Sequence, residues 1–251
     1  MSISRRKVVA AGIGLTAGAT GLAAAAKLAD HYGLLPPDHR GIYGPGLTLT
    51  YAAHRLMTKH SLAREFSRDQ ISSVPFPNGR PPRQPEYKQH EEEGFANWKI
   101  SIEGLVERPM SFSIADLKAQ PAASQITHLA CEEGWSFIAE WTGVRLSHIL
   151  EAAGAKPEAR FVVYSSIQPQ WWDSIDMNDA LHPQTLLTYG MNGKDLPRGH
   201  GAPVRIRLPR HLGAKSVKFI TKLTVTDSLS GFGTGRGSSG AEHGYSWYYG
   251  I

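Results

Sequence analysis

The chain has 251 residues, of which 41% are hydrophobic and 20% charged, an ordinary globular composition. Its formal charge is +5, but residues 1–29 hold four basic residues and no acidic one, which leaves a net charge of about +1 for residues 30–251. A nearly neutral chain gives no electrostatic basis for binding a phosphate backbone, so we expect no nucleic-acid partner. Cys131 is the only cysteine, which excludes an intramolecular disulfide, paired-cysteine zinc sites and covalent c-type haem.

Residues 1–29 have the pattern of an export signal. Arg5 and Arg6 precede an apolar stretch of small residues at 8–26, and this order of basic, apolar and small-residue regions is typical of a secretory signal. The adjacent arginines and Lys27 just beyond the stretch favour the twin-arginine route over the general one. The alternative is a Gly/Ala-rich helix with accidental arginines. Because the twin-arginine route carries folded proteins, we expect a periplasmic protein with a preloaded cofactor, tethered to the membrane if the signal is not cleaved.

Residues 30–97 are predicted to form an extended N-terminal wrap, with one helical candidate near residues 47–65 and proline-rich irregular backbone at 75–85. From residue 98 onward the pattern becomes regular. Trp98, Ile100 and Ile102 alternate with polar residues, which predicts a half-buried strand.

The other predicted elements follow in chain order. They are a helix start at 113–116, a strand at 125–130, a helix at 144–153, strands at 161–164, 186–189 and 204–208, and one or two strands within 217–225. Few helices and many short strands predict an α+β fold. We expect a single domain of mixed β-sheets with short helices over residues 98–251.

Cys131 lies between the predicted strand 125–130 and a polar turn, in the segment Leu-Ala-Cys-Glu-Glu-Gly-Trp. A lone cysteine is, by itself, more often a small buried hydrophobic residue than a ligand. The block at 131–135, followed by Trp-Thr-Gly-Val-x-Leu at 141–146, resembles the cysteine segment of the sulfite oxidase superfamily of molybdenum-cofactor enzymes. The resemblance implies that the Cys131 thiolate is the sole protein ligand to molybdenum, a soft metal that such a ligand suits.

A second block runs from Tyr-Gly-Met-Asn-Gly at 189–193 into His-Gly-Ala-Pro-Val-Arg at 200–205, and Ser-Val-Lys follows at 216–218. It resembles the stretches that bind the pterin and its phosphate in the same superfamily. The residues implied are His200, Arg205, Ser216, Val217 and Lys218. The chemistry agrees, because an arginine presents a planar fork to a phosphate and a lysine adds charge. The alternative is that Arg205 merely lines the polar face of a strand.

The resemblance implies further site residues, and for some of them another interpretation remains open. Asn78, in Pro-Asn-Gly, resembles a pterin-contacting asparagine of bacterial members, but an Asn-Gly turn explains it equally. Ser166 falls where the family places a cofactor-binding Thr or Asp. Trp171 and Trp172 stand where sulfite oxidases have a tyrosine, which argues against sulfite as the substrate. The two tryptophans wall a substrate pocket or, with slightly more weight, serve as packing.

The resemblance, which covers residues 60–250, identifies the chain as a sulfite-oxidase-type molybdopterin-binding oxidoreductase and is nearest to the bacterial periplasmic methionine sulfoxide reductase catalytic subunits. It implies a Mo-molybdopterin cofactor and two-electron, oxygen-atom-transfer chemistry on a small-molecule substrate in a monomer. With no haem or flavin motif in the chain, electrons must pass through a separate partner, either a membrane haem protein or a soluble cytochrome. Two alternatives remain open: a hydrolase using Cys131 with His128 or His200, and a cofactor-free binding domain.

Overall fold

The computed structural model describes Ala24 and residues 26–251, so most of the predicted signal at 1–29 lies outside the described residues. After a helical stretch at 26–31, the α-helices are Gly44–Met57 (α1), Pro85–Glu92 (α2), Ile114–Ala119 (α3), Leu146–Ala153 (α4), Met177–Ala180 (α5) and Ser239–Glu242 (α6). The described part contains no helix with the length and apolar character needed to cross a membrane.

The structure has strands at the six predicted segments and four further strands that were not predicted. They are Lys99–Gly104 (β1), Met110–Ser113 (β2), Ala122–Ala130 (β3), Ser136–Arg145 (β4), Phe161–Ser166 (β5), Trp172–Asp176 (β6), Leu186–Met191 (β7), Lys194–Asp195 (β8), Arg205–Arg207 (β9) and Ile220–Thr226 (β10). The first sheet has the order β2-β1-β10-β5-β6, with β1 and β10 parallel and the other pairs antiparallel. In the second sheet, β3 pairs with β4 and β4 with β7, whose other edge carries β8 and β9.

The main core lies where the two sheets and α4 bury their apolar residues. Ile100 and Ile102 of β1 are fully buried, as their alternation predicted, and Leu146, Ile149 and Leu150 form the buried face of α4. Burial of such side chains contributes roughly 1.5–3 kcal/mol each. This rigid core fixes the ends of the strands from which the loops around Cys131, Ser166 and Arg205 depart.

Local signals place the short helices. The Ser113 hydroxyl accepts a hydrogen bond from the Asp116 amide at 3.1 Å, and the Asp116 carboxylate accepts one from the Ser113 amide at 2.9 Å, which closes the predicted capping box. Helix α4 ends at Gly154, whose φ of 67° supplies the left-handed C-cap. Helix α3 therefore begins within the helix start predicted at 113–116, and α4 ends at residue 153, as predicted.

The N-terminal wrap is more ordered than predicted. Its first helix, α1, ends at Met57 and not near residue 65, and helix α2, which begins at Pro85, was not predicted. Proline suits the first helical position because its missing N–H would have no partner there. The wrap is also joined to the body, since Glu65 forms an isolated β-bridge with Thr127.

Apolar and charged residues alternate over the predicted strand at 204–208. Val204, Ile206 and Leu208 belong to the main core, yet Arg205 and Arg207 on the opposite face are buried as well. The turn at Asn192 and Gly193 closes the short β7–β8 hairpin, whereas β9 pairs with the earlier part of β7. The two arginines therefore face the protein interior and not solvent.

Candidate functional site

A cavity of about 480 Å³ opens where the loops after β3, β5 and β8 meet. All eight residues proposed from the sequence line it: Asn78, Cys131, Ser166, His200, Arg205, Ser216, Val217 and Lys218. They come from five separate segments of the chain, so the fold, and not proximity in sequence, brings these segments together. Their individual roles toward a cofactor stay predictions.

Cys131 follows the last residue of β3 in a tight turn. The turn is held by hydrogen bonds from the Cys131 amide to the Trp135 carbonyl at 2.9 Å and from the Gly134 amide to the Cys131 carbonyl at 3.0 Å. The Sγ atom lies 3.2 Å from Oε2 of Glu132. Burial, together with the carboxylates of Glu132 and Glu133, raises the pKa of the Cys131 thiol to about 11. The bare thiol is thus protonated at neutral pH, and a bound metal ion would displace that proton.

Arg205 is buried in the cavity wall and has no carboxylate partner among the described residues. Its guanidinium donates to the carbonyls of His200 at 2.9 Å and Ser216 at 2.6 Å, and it lies 5.3 Å from the centroid of the Trp141 ring. Burial lowers its pKa to about 10. The two carbonyls fix the plane of the fork, and further N–H groups remain for an anion.

Lys218 is a second cation of the cavity, partly buried and without a carboxylate partner in the described part of the chain. Its ammonium donates to the carbonyls of Asn78 at 2.5 Å and Gly199 at 2.7 Å, which leaves one of three N–H groups unused. Burial and the nearby Arg205 lower the pKa of Lys218 to about 7. A bound anion would hold the proton on this lysine, so the site is built for negative charge.

Gly201 is required by this geometry. Its φ is +109°, and a Cβ placed there would lie 2.9 Å from Cβ of Lys218. A side chain at this position would displace the lysine. The glycine of the His-Gly-Ala-Pro-Val-Arg block therefore lets the loop pass directly over Lys218.

The other proposed residues have mixed environments. His200 is buried, and burial, with Arg205 and Lys218 nearby, lowers its pKa to about 4, so its imidazole is neutral. Ser216 is buried, and its hydroxyl accepts from the Leu208 amide at 3.2 Å. Ser166 accepts from the Gln168 amide at 3.2 Å. Gly79 has a φ of +70°, as an Asn-Gly turn requires, and Asn78 still lines the cavity.

Buried aromatic donors anchor the loops of the site to the core. The Tyr87 hydroxyl donates to the Ala202 carbonyl at 2.9 Å, the Trp98 indole to the Ile220 carbonyl at 2.9 Å, and the Tyr164 hydroxyl to the Lys215 carbonyl at 2.8 Å. Each bond satisfies a buried carbonyl that would otherwise be costly. Helix α2 therefore positions the loop that carries His200 and Arg205.

The two tryptophans both line the cavity. Trp171 is 56% exposed, whereas Trp172 is half-buried and packs against Phe232 with ring centroids 6.3 Å apart. The slight preference for packing over a pocket wall therefore fits Trp172 better than Trp171. An exposed indole at the opening of a cavity is placed to contact what enters it.

Several lining residues were missed by sequence reasoning. Asp173 and Lys215 form a buried ion pair at 2.6 Å behind the cavity wall, and only Asp173 lines it. Tyr245 and Tyr249 reach the cavity from the C-terminal segment, where the glycine-rich sequence gave no signal. Phe76 could have been found, because it lies two residues before Asn78.

The hydrolase alternative lacks its geometry. Neither His128 nor His200 hydrogen-bonds to Cys131 in the described part of the protein, and His128 lies on β3 beside Phe66 with ring centroids 6.3 Å apart. A cysteine nucleophile needs a depressed thiol pKa, whereas that of Cys131 is raised.

Curated proteins that are similar in sequence to this chain are named as protein-methionine-sulfoxide reductase subunits. The chain is 36% identical over 155 residues to the protein-methionine-sulfoxide reductase subunit YedZ1 named from Azospira oryzae, covering 62% of this chain and 56% of that protein. It is 35% identical to the protein-methionine-sulfoxide reductase catalytic subunit MsrP of Campylobacter jejuni, covering 52% and 49% of the two proteins. The chain thus spans about half the length of the curated relatives it matches.

A solved structure and a family description point the same way. The sulfane dehydrogenase SoxCD of Paracoccus pantotrophus aligns with a TM-score of 0.51 at 25% identity, over 53% of this chain and 39% of that one. The family described as the oxidoreductase molybdopterin binding domain matches residues 87–231. That stretch contains every proposed site residue except Asn78. The fold and cofactor class predicted from the two motif blocks are thereby confirmed, and the chain belongs to this molybdopterin-binding oxidoreductase family of the sulfite oxidase superfamily.

Proposed function

We propose that this protein is a molybdenum-cofactor enzyme that reduces methionine sulfoxide to methionine. The observation that carries the proposal is the cavity, which Cys131 lines together with buried Arg205 and partly buried Lys218, two cations that lack carboxylate partners among the described residues. A buried charge without a partner is costly unless an anion joins it. A pterin phosphate provides that anion, and the thiol provides a metal ligand.

The chain's own residues have distinct tasks in this proposal. Arg205 and Lys218 hold the phosphate, His200 and Ser216 shape the loop that covers the pterin, and Cys131 ligates molybdenum. When bound, the cofactor supplies the two-electron redox chemistry and accepts the oxygen atom. Overall, a sulfoxide, two electrons and two protons give a thioether and water.

The lining residues favour a sulfoxide over sulfite. In this proposal the pterin phosphate occupies Arg205 and Lys218, so the charges left beside Cys131 are the carboxylates of Glu132 and Glu133, which repel an anionic substrate such as sulfite. Phe76, Trp171 and Tyr245 are exposed aromatic residues that also line it. Aromatic rings make favourable contacts with thioether sulfur. The relatives named protein-methionine-sulfoxide reductases supply the identity of this substrate class.

Export and electron supply complete the proposal. Arg5 and Arg6 support twin-arginine export to the periplasm after the cofactor is inserted. The motifs of the chain include no haem or flavin site, so a membrane haem protein or a soluble cytochrome would deliver the electrons to a monomeric catalytic subunit.

Metal and pterin analysis tests the cofactor assignment. Protein lacking residues 1–29 and expressed in the cytoplasm with molybdate should contain close to one molybdenum per chain and release a fluorescent pterin. With a dye as electron donor it should reduce methionine sulfoxide and leave sulfite unoxidised. Protein free of both molybdenum and pterin under these conditions would sink the proposal. Sulfite oxidation without sulfoxide reduction would overturn the substrate.

A further prediction concerns Lys218. Lys218→Met keeps the length of the side chain but removes the charge that faces the anion, so we expect pterin content to fall about tenfold or more, as loss of a charged hydrogen bond of roughly 1.5–3 kcal/mol implies. Lys222→Met is the matched control, because Lys222 makes only a surface ion pair with Glu103 at 3.3 Å. Equal pterin content in the two variants would contradict a phosphate-binding role.

A further inference from the structure

Tyr249 lies in the C-terminal segment, beyond the residues that the family description matches. Its backbone is fixed beside the body, since the Leu212 amide donates to the Tyr249 carbonyl at 3.1 Å and the Ile251 amide donates to the Arg210 carbonyl at 2.9 Å. The side chain is half-buried and lines the same cavity as Cys131. The segment therefore presents a phenol to the cavity from a rigid position.

The Tyr249 hydroxyl makes no hydrogen bond to any residue that the structure describes, unlike those of Tyr51, Tyr87 and Tyr164. This oxygen lies beside Gly240, which also lines the cavity, because a Cβ placed on Gly240 would be 3.6 Å from it, an ordinary contact distance. Burial and the carboxylates of Asp173 and Glu132 raise the pKa of Tyr249 well above its usual value. The hydroxyl thus keeps its proton and is a free donor beside acidic groups.

A sulfoxide has a strongly accepting oxygen and no proton to donate, so it loses free energy in a cavity unless a donor meets that oxygen. Glu132 and Asp173, when ionised, only accept hydrogen bonds. Two other neutral donors of the wall are committed, since the Trp135 indole donates to Glu133 at 2.7 Å and the Ser239 hydroxyl donates to the Trp172 carbonyl at 3.0 Å.

We infer that Tyr249 is a substrate-contacting residue whose hydroxyl donates a hydrogen bond to the sulfoxide oxygen. This inference rests on the proposed function. The bond orients the oxygen toward the side of the cavity that holds Cys131 and stabilises the negative charge that develops on it as electrons arrive. The sulfur and its alkyl groups would then lie toward the exposed aromatic residues, among them Trp171.

The test compares Tyr249→Phe with Tyr43→Phe, a matched control that removes the same atom from an exposed tyrosine outside the cavity. In Tyr249→Phe, kcat/KM for methionine sulfoxide should fall about 10- to 100-fold, with molybdenum and pterin content unchanged. Tyr43→Phe should stay within about twofold of wild type. Calorimetry gives a second readout, because methionine sulfone keeps an accepting oxygen that methionine lacks. Tyr249→Phe should weaken sulfone binding about tenfold and leave methionine binding unaltered.

The outcomes separate the two proposals. If Tyr249→Phe has wild-type activity, or weakens the binding of sulfone and methionine equally, the role of Tyr249 is overturned and the proposed function stands. A molybdenum-loaded wild type that reduces no sulfoxide would overturn the proposed function and this inference with it. Loss confined to the oxygen-bearing ligands supports the inference.

Discussion

Replacing Cys131 with alanine is expected to abolish sulfoxide reduction while the protein stays folded and retains its pterin. The thiol lies in the cavity wall and makes no bond that the fold depends on, since its Sγ contacts only Glu132 among its hydrogen-bond partners. Loss of groups that merely support a metal ligand costs about 10–100-fold in activity or affinity, so loss of the proposed ligand itself should exceed about 100-fold.

Three measurements make this prediction specific. Pterin fluorescence should be near wild type, molybdenum content should drop, and the thermal midpoint should move by only a few degrees. Ser136→Ala is the control, because Ser136 is exposed at the start of β4, on the other side of the same turn. Cys131→Ser should also be inactive, since an alcohol is a poor ligand for a soft metal. Full activity in Cys131→Ala would refute the ligand role.

The second large effect is expected for Arg55, which connects the N-terminal wrap to the body. From α1 its buried guanidinium pairs with Asp176 at 2.7 Å and with Asp179. Asp176 also accepts from the Tyr51 hydroxyl at 2.5 Å, and Asp179 lies 2.7 Å from Nε2 of His211. Arg55→Met leaves two buried carboxylates with one cation fewer, so the free energy of unfolding should fall by about 3–5 kcal/mol.

The pH dependence of this effect follows from Asp179. Although burial alone would raise its pKa, His211 and Arg55 hold the pKa of Asp179 below its usual value. A carboxyl with a depressed folded-state pKa stabilises the fold above its unfolded pKa of roughly 4, and loses that contribution as the pH falls. The difference between wild type and Arg55→Met should therefore be largest near neutral pH and shrink in acid.

Urea unfolding at several pH values measures both effects. Arg160→Met is the matched control, because Arg160 pairs with Asp30 at 3.2 Å on the exposed surface, where an ion pair contributes about 1 kcal/mol or less. Equal unfolding midpoints for Arg55→Met and Arg160→Met at pH 7 would mean that the buried network does not hold α1 in place. In that case the wrap would be stabilised chiefly by the packing of Tyr51 against Trp247 and Tyr248.

Much of the site was predictable because many of its residues lie close together in short segments of the sequence. In the segments 200–205 and 216–218, Arg205 lies eleven residues before Ser216 and Lys218 lies two residues after it. The Arg205 guanidinium donates a hydrogen bond to the Ser216 carbonyl and so joins the two segments directly. Helix α2 was not predicted, because its sequence is strongly polar and only Tyr87 is buried. The burial of Arg205 and Arg207 also escaped prediction, since alternation separates two faces of a strand but does not say what covers each face.

The sequence by itself determined the family, the cofactor class and the residues of the two motif blocks, because these depend on local order and on side-chain chemistry. Tertiary structure alone decided which other groups share the cavity and which join the wrap to the body. Arg55 and Asp179 are separated by 124 residues, and Tyr249 reaches the cavity of Cys131 from the far end of the chain. Such pairs leave no periodic trace in a sequence, because their contact is set by how the sheets and loops pack and not by spacing along the chain.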